Sequence, residues 1–210
     1  MVERFPKWWM PYYVVRTLFL RFGVITLVLL APLFTLFVMN SGYANGDDYL
    51  FLFGCWFFLI APFGINYSIA KKRKQKLRTV VDNIKTTGLF NPTTNSEGWL
   101  FWNSTYLGFD FHKGTFLYVR IYPGNVMDVI GFDAYSLVRT EVEGSKLRLY
   151  TRLTSLSMIP IDTGSASSIA DHLHAMNNKR YSYNFDFHDV VNKKHKELEQ
   201  LAGMPVPELI

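Results

Sequence analysis

The residues able to do chemistry are few and scattered. The chain has five histidines: His112, His172, His174, His188 and His195. A zinc helix needs two histidines four apart with a glutamate between them. His172 and His174 are two apart, so a helix turns them to different faces. All five therefore fit solvated or capping roles better than a metal site. Asp110, Asp128 and Asp133 fall in or beside strand-like segments, and Asp186 and Asp189 near a helix start, where the helix dipole favours acids. Glu141 and Glu143 share one face of a strand, but one stands at a turn, and nothing in the spacing demands acid–base work. The single cysteine, Cys55, can form no internal disulfide and lies in an apolar run, the place of a small core residue. There is no phosphate-cradling glycine loop and no GxSxG elbow. Asn103-Ser104-Thr105 matches a glycosylation sequon, which has a use only on an external face. The expectation is no catalytic residue, no metal and no cofactor.

The chemistry that is concentrated is charge. Residues 69 to 78 read IAKKRKQKLR, with Lys71, Lys72, Arg73, Lys74, Lys76 and Arg78 in eight positions. Such a run serves nucleic acid, an import signal or the cytoplasmic flank of a membrane span. The overall charge of +5 decides once it is divided by region. Residues 1 to 21 hold Arg4, Lys7, Arg16 and Arg21 against Glu3. Residues 40 to 48 hold Asp47 and Asp48 and no base. Residues 79 to 210 hold 12 basic and 14 acidic side chains. The positive excess thus flanks two apolar stretches, and the remaining chain lacks the basic surplus of a nucleic-acid reader.

Those stretches are Phe22 to Met39 and Tyr49 to Ala70, 18 and 22 residues without a charge. About 20 apolar residues cross a hydrocarbon core of about 30 Å. Core helices of this length carry a polar face, which these lack. A cleaved signal peptide is the alternative for the first stretch, but its apolar run is long and no small-x-small site stands out after it. We expect a transmembrane hairpin, with helix 1 over 17–40, an external loop over 41–48 and helix 2 from 49. Basic flanks resist translocation, so both termini are expected in the cytoplasm. Ahead of the first span, residues 1–16 crowd Phe5, Trp8, Trp9, Tyr12 and Tyr13 around Lys7 and Arg16, the composition of a headgroup-zone segment. Pro6 and Pro11 argue against one straight helix there. Arg21 lies close enough to the interface to snorkel toward headgroups. Ala31-Pro32 and Ala61-Pro62 mark the middle of each span as places for a kink.

Helix 2 does not have to stop at the basic run. Leu77, Val80, Val81 and Ile84 continue at helical spacing and Gly88 offers a stop. The spacing predicts one helix over 49–87, its last turns projecting as a basic stalk, and a linker over 88–98. From Trp99 to Asp162 the period becomes two. About seven short strands separated by His112-Lys113-Gly114, Pro123-Gly124-Asn125 and Glu143-Gly144-Ser145 predict an antiparallel meander. Ala166 to Asn177 follows with Ile169, Ala170, Leu173 and Met176 as a helical stripe. The segments GFDFHKGTFLYVRI, GFDAYSLVRTEVEGSKLRLYTR and IPIDTGSASSIADHLHAM together resemble the bacterial PH-like domains of small membrane-anchored proteins. That resemblance implies a PH-like domain over 99–178, an opening hairpin and meander closed by a helix. The predicted fold class is an α+β membrane protein: a two-helix transmembrane hairpin plus a cytoplasmic PH-like antiparallel β-meander. A further amphipathic helix is expected over 186–202, packed on its own domain or offered to a partner, before a tail over 203–210.

The WLFW run places Trp99, Phe101 and Trp102 as stacking aromatics, for core or for partner contact, without a basic stripe that would suit nucleic acid. An aromatic cationic start, two spans, a basic stalk from Lys71 and a compact domain together resemble the small inner-membrane entry-exclusion proteins of conjugative plasmids. The resemblance implies a non-enzymatic adaptor in the bacterial inner membrane that meets a conjugative transfer component and blocks redundant transfer. Lipid contact through Lys71, Lys72, Arg73, Lys74, Lys76, Arg78, Arg16, Arg21, Trp8 and Trp9 belongs to this picture, as does a homo-oligomer. A sensor of anionic headgroups and a membrane enzyme with an unrecognised site stand as alternatives.

Overall fold

In a computed structural model, residues 3–152 and 157–208 are described. The chain divides into two compact units, Phe5–Lys72 and a second that joins Met1–Arg4 to Arg73–Ile210.

The first unit is helical. Helix α1 (Trp9–Leu18) passes through a π-helical turn (Phe19–Gly23) into α2 (Val24–Asn40). The helix begins earlier than the proline content suggests because Pro11 sits in its first turn, where no N–H is needed. Gly23 makes room in the π turn, since a Cβ there would stand 2.8 Å from the Phe19 ring. Helix α3 (Gly46–Lys85) is continuous through Pro62. The helices Trp9–Asn40 and Gly46–Lys85 are long and apolar enough to cross a membrane, and only 11% and 6% of their most apolar windows are buried. A soluble core helix would be mostly buried; these present their apolar side chains outward, and the protein associates with a membrane through them. Thr17, Thr26 and Thr35 donate their hydroxyls to the carbonyls of Tyr13, Phe22 and Ala31, which satisfies them inside the helix. Trp56 Nε1 donates to Thr35 Oγ1 at 3.2 Å, and the Phe34 and Phe51 rings meet edge-on at 4.9 Å, so α2 and α3 touch here.

The second unit holds seven antiparallel strands in two sheets. One has the order β1 (Glu97–Leu100), β2 (Thr105–Asp110), β3 (Thr115–Ile121), β4 (Met127–Asp133); the other β5 (Leu137–Glu143), β6 (Lys146–Thr151), β7 (Met158–Asp162). The expected strand run SLSMIPI begins in residues outside those described. Helices α4 (Ala166–Asn177), α5 (Phe187–Lys193) and α6 (His195–Ala202) follow. Gly144, at φ +59°, makes the two-residue turn between β5 and β6 that the Glu143-Gly144-Ser145 signal predicts.

Strands β2, β3 and β4 are buried on both faces. Leu107, Phe109, Phe116 and Phe132 face the second sheet and α4. Tyr106, Leu117, Val119 and Met127 face the other way, onto α5, α6 and the last turns of α3. The stripe expected from helical spacing, Leu77, Val80, Val81 and Ile84, is buried in that core. Each such side chain contributes about 1.5–3 kcal/mol by leaving water. The expected linker is likewise core in part, with Phe90 fully buried and stacked on Phe187 at 6.0 Å.

The expected single helix over 186–202 is two. It breaks at Lys194 (φ −86°, ψ 0°), and His195 Nδ1 lies 2.8 Å from the Asn192 carbonyl. The break lets Phe187 and Val191 lie on β4 while Leu198 and Ala202 follow a different surface of the same core. One straight helix cannot follow both. Asp186 caps α5 through the Asp189 N–H, and Gly203, left-handed at φ +58°, ends α6.

Candidate functional site: the open corner between the sheets

The two sheets meet at one corner and part at the other. Between β4 and β5 the chain turns sharply because Asp133 Oδ1 accepts from the N–H groups of Tyr135 and Ser136 and from the Ser136 hydroxyl, at 2.7–2.9 Å. At the opposite corner β1 and β7 are edges of their sheets and, among the described residues, do not pair with each other. The far edge at β4 is engaged, since Met127 N–H donates to the Pro205 carbonyl at 2.9 Å.

Register shows what β1 offers. Ile121 N–H donates to the Ser104 carbonyl, which makes Tyr106, Gly108 and Asp110 the residues of β2 that bond to β3. Thr105 and Leu107 then bond to Leu100 and Gly98 of β1. The backbone groups of Glu97 and Trp99 point out of the sheet. Facing them, β7 carries Pro160, which in an edge strand turns its missing donor outward.

A cleft follows this open corner in two lobes of about 300 Å³ each, joined at Leu100. One lobe is apolar, floored by Leu107, Phe109, Phe111 and Ile169, with Trp99 at its side and Ser165, Ser168 and His172 on its rim. The other is cationic, with Arg120, Lys146 and Arg148 against one acid, Asp162. Lys146 has no carboxylate within ion-pair distance among the described residues. Arg148 is 2.8 Å from Glu143 and 3.8 Å from Glu141. Arg120 stacks over the Tyr122 ring at 4.9 Å.

Behind the cationic lobe lies a buried ion pair. Asp128, fully buried, stands opposite Arg120 and accepts from Arg4 Nε at 2.9 and 3.1 Å. Burial pushes the Asp128 carboxyl up, and the Arg4 charge pulls it back. Arg4 also gives its carbonyl to Gly124 N–H, and Arg73 Nη2 donates to Asn125 Oδ1 at 3.3 Å. The β3–β4 turn therefore holds the chain at residue 4 and again at residue 73.

The aromatic candidates divide. Trp99 lines the cleft, half-buried on Tyr106 at 4.5 Å. Phe101 and Trp102 lie in the turn after β1, edge-on at 5.1 Å, and Trp102 is 69% exposed. Of the basic run, Lys71, Lys72 and Arg78 are exposed, Arg73 reaches Asn125, and Lys74 stands 6.0 Å from the Trp99 ring. Lys76 is half-buried. Trp8 and Trp9 cluster with Tyr12 and Tyr13 on α1, Arg16 lies on the same helix, and Arg21 lies in the π turn. Sequence reasoning did not single out Arg4, Arg120, Lys146 or Arg148. The alternate spacing of Lys146 and Arg148 in KLRL was the available signal, and only pairing of the sheets brings Arg120 to them.

Of the residues weighed for catalysis, Asp110 and His172 hold structural contacts. Asp110 accepts from the N–H groups of Asn91, His112 and Lys113. His172 Nδ1 lies 2.6 Å from the Ser168 carbonyl. Among the described residues no group of three metal-ligating side chains is assembled.

No curated protein and no solved structure matches the chain. The family model described as exclusion-determining protein matches residues 6–210. An aromatic and cationic start, two outward-facing apolar helices and a folded unit of two antiparallel sheets are what that model spans here, and the chain belongs to the family of exclusion-determining proteins, non-catalytic proteins of entry exclusion.

Proposed function

We propose that this exclusion protein spans the bacterial inner membrane twice, with both termini in the cytoplasm, and that its Arg73–Ile210 unit is the recognition module. Basic residues on both outer flanks and two acids in the intervening loop support that topology. Two antiparallel sheets with α4 packed on β5 and β6 support a PH-like fold. The partner is a membrane protein of the incoming transfer apparatus. The exposed faces of Trp8, Trp9, Lys71 and Lys72 serve lipid headgroups.

The observation that carries this reading is the open corner, an unpaired strand edge beside a two-lobed cleft, with Trp102 exposed two residues beyond β1. Sheet edges and exposed tryptophans are what a protein partner uses. The test is plasmid transfer into recipients that carry the chain or its Trp102→Ala variant, with membrane levels matched by immunoblot. A hot-spot tryptophan is worth about 2 kcal/mol or more, so the variant is expected to lose exclusion at least tenfold. Full exclusion by Trp102→Ala would remove this surface from recognition.

A further inference from the structure

We infer that the cleft receives an extended acidic segment of the partner, laid along β1 with a carboxylate against Arg120, Lys146 and Arg148. This inference rests on the proposal that the Arg73–Ile210 unit recognises a membrane protein.

Geometry selects an extended chain. The outward backbone groups of Glu97 and Trp99 are spaced as a strand requires, and β1 is the unpaired edge on this side. Pro160 blunts the facing strand, so an incoming segment pairs with β1 alone. Leu100 lines both lobes, so a segment laid along β1 past it meets the apolar lining of one and the cations of the other.

Charge selects the acid. The cationic lobe holds three bases to one acid, although residues 79 to 210 as a whole carry more acids than bases. Asp162 is already hydrogen-bonded by Ser145 Oγ at 3.1 Å, while Lys146 has no carboxylate partner among the described residues. A carboxylate entering here meets the Lys146 ammonium, with Arg120 and Arg148 in the same lining adding positive field and Arg148 held at 2.8 Å by Glu143. A basic or neutral segment would leave Lys146 uncompensated, since Arg148 already has Glu143 and Arg120 stands opposite Asp128.

The test is genetic. Recipients carrying Lys146→Glu, Lys146→Gln or Lys146→Arg are mated with the excluded donor, membrane levels being matched. Lys146→Glu is expected to lose exclusion about tenfold or more, Lys146→Gln less, and Lys146→Arg little. Donor mutants that escape wild-type exclusion are then selected and sequenced. Replacement of an Asp or Glu by Lys in a strand-like segment of a transfer protein, excluded again by Lys146→Glu recipients, would establish the contact. Full exclusion by Lys146→Glu would overturn the inference. So would loss of exclusion that no donor substitution restores, which would assign the lobe to an anionic lipid headgroup. If Trp102→Ala loses exclusion while Lys146→Glu keeps it, recognition by this unit stands and only the acidic segment falls.

Discussion

Gly131 in β4 tests the packing that holds the recognition unit together. A Cβ built there would stand 2.8 Å from Phe187 Cδ1, 2.8 Å from Val191 Cγ2 and 2.9 Å from the Phe187 carbonyl oxygen. The first two atoms belong to buried side chains and the third to helix backbone, so none can move cheaply. Gly131→Ala must push α5 away from β4. Overpacking of a filled core costs about 1–3 kcal/mol, and contact with backbone puts this site in the upper part of that range. At about 3 °C per kcal/mol for a unit of this size, the midpoint should fall by roughly 6–9 °C. The assay is thermal unfolding of the full chain in detergent, followed by tryptophan fluorescence. Gly164→Ala is the control, because nothing lies within 4 Å of a Cβ at that position. Val191→Ala combined with Gly131→Ala should recover part of the loss, a coupling that a double-mutant cycle reads directly. A Gly131→Ala midpoint within about 1 °C of wild type would refute close packing of α5 on β4.

Arg4→Ala leaves Asp128 buried without its cation. Breaking a fully buried pair costs about 3–5 kcal/mol; because the Arg4 side chain is 29% exposed, about 2 kcal/mol is expected here, read as a lowered urea midpoint of the full chain in detergent. Tyr183 gives a pH signature. Burial pushes its hydroxyl up to about 12 from 10.0, and the hydroxyl donates to the Gly114 carbonyl at 2.6 Å. A group raised in the folded state stabilises fully below its unfolded value and loses that contribution as pH rises through the folded one. Stability should therefore decline between pH 10 and 12, and Tyr183→Phe should flatten that decline in unfolding midpoints measured across the range.

Membrane association was legible in the sequence because lipid and water sort residues by type along the chain. Uncharged runs of span length, tryptophans near the start and lysines after residue 70 need no tertiary contact to be recognised. The turns were legible too: Gly144 and Gly203 announce backbone that other residues adopt at a cost. The break at Lys194 was not, because no proline or glycine marks it; it follows from the shape of the core beneath. The role of Leu77, Val80, Val81 and Ile84 was half legible, since helical spacing shows that a stripe exists but not what covers it.

The cleft was the least legible part. Trp99 could be suspected from composition, but Lys146, Arg148 and Arg120 come from two different sheets, and Pro160 is an ordinary proline until its strand is known to be an edge. Local order along the chain is enough to determine spans, charge asymmetry, strands and turns, because those depend on neighbours in sequence. Which strands remain unpaired, and which cations share a cavity, was decided only by tertiary structure, because burial and pairing join residues that the sequence keeps far apart.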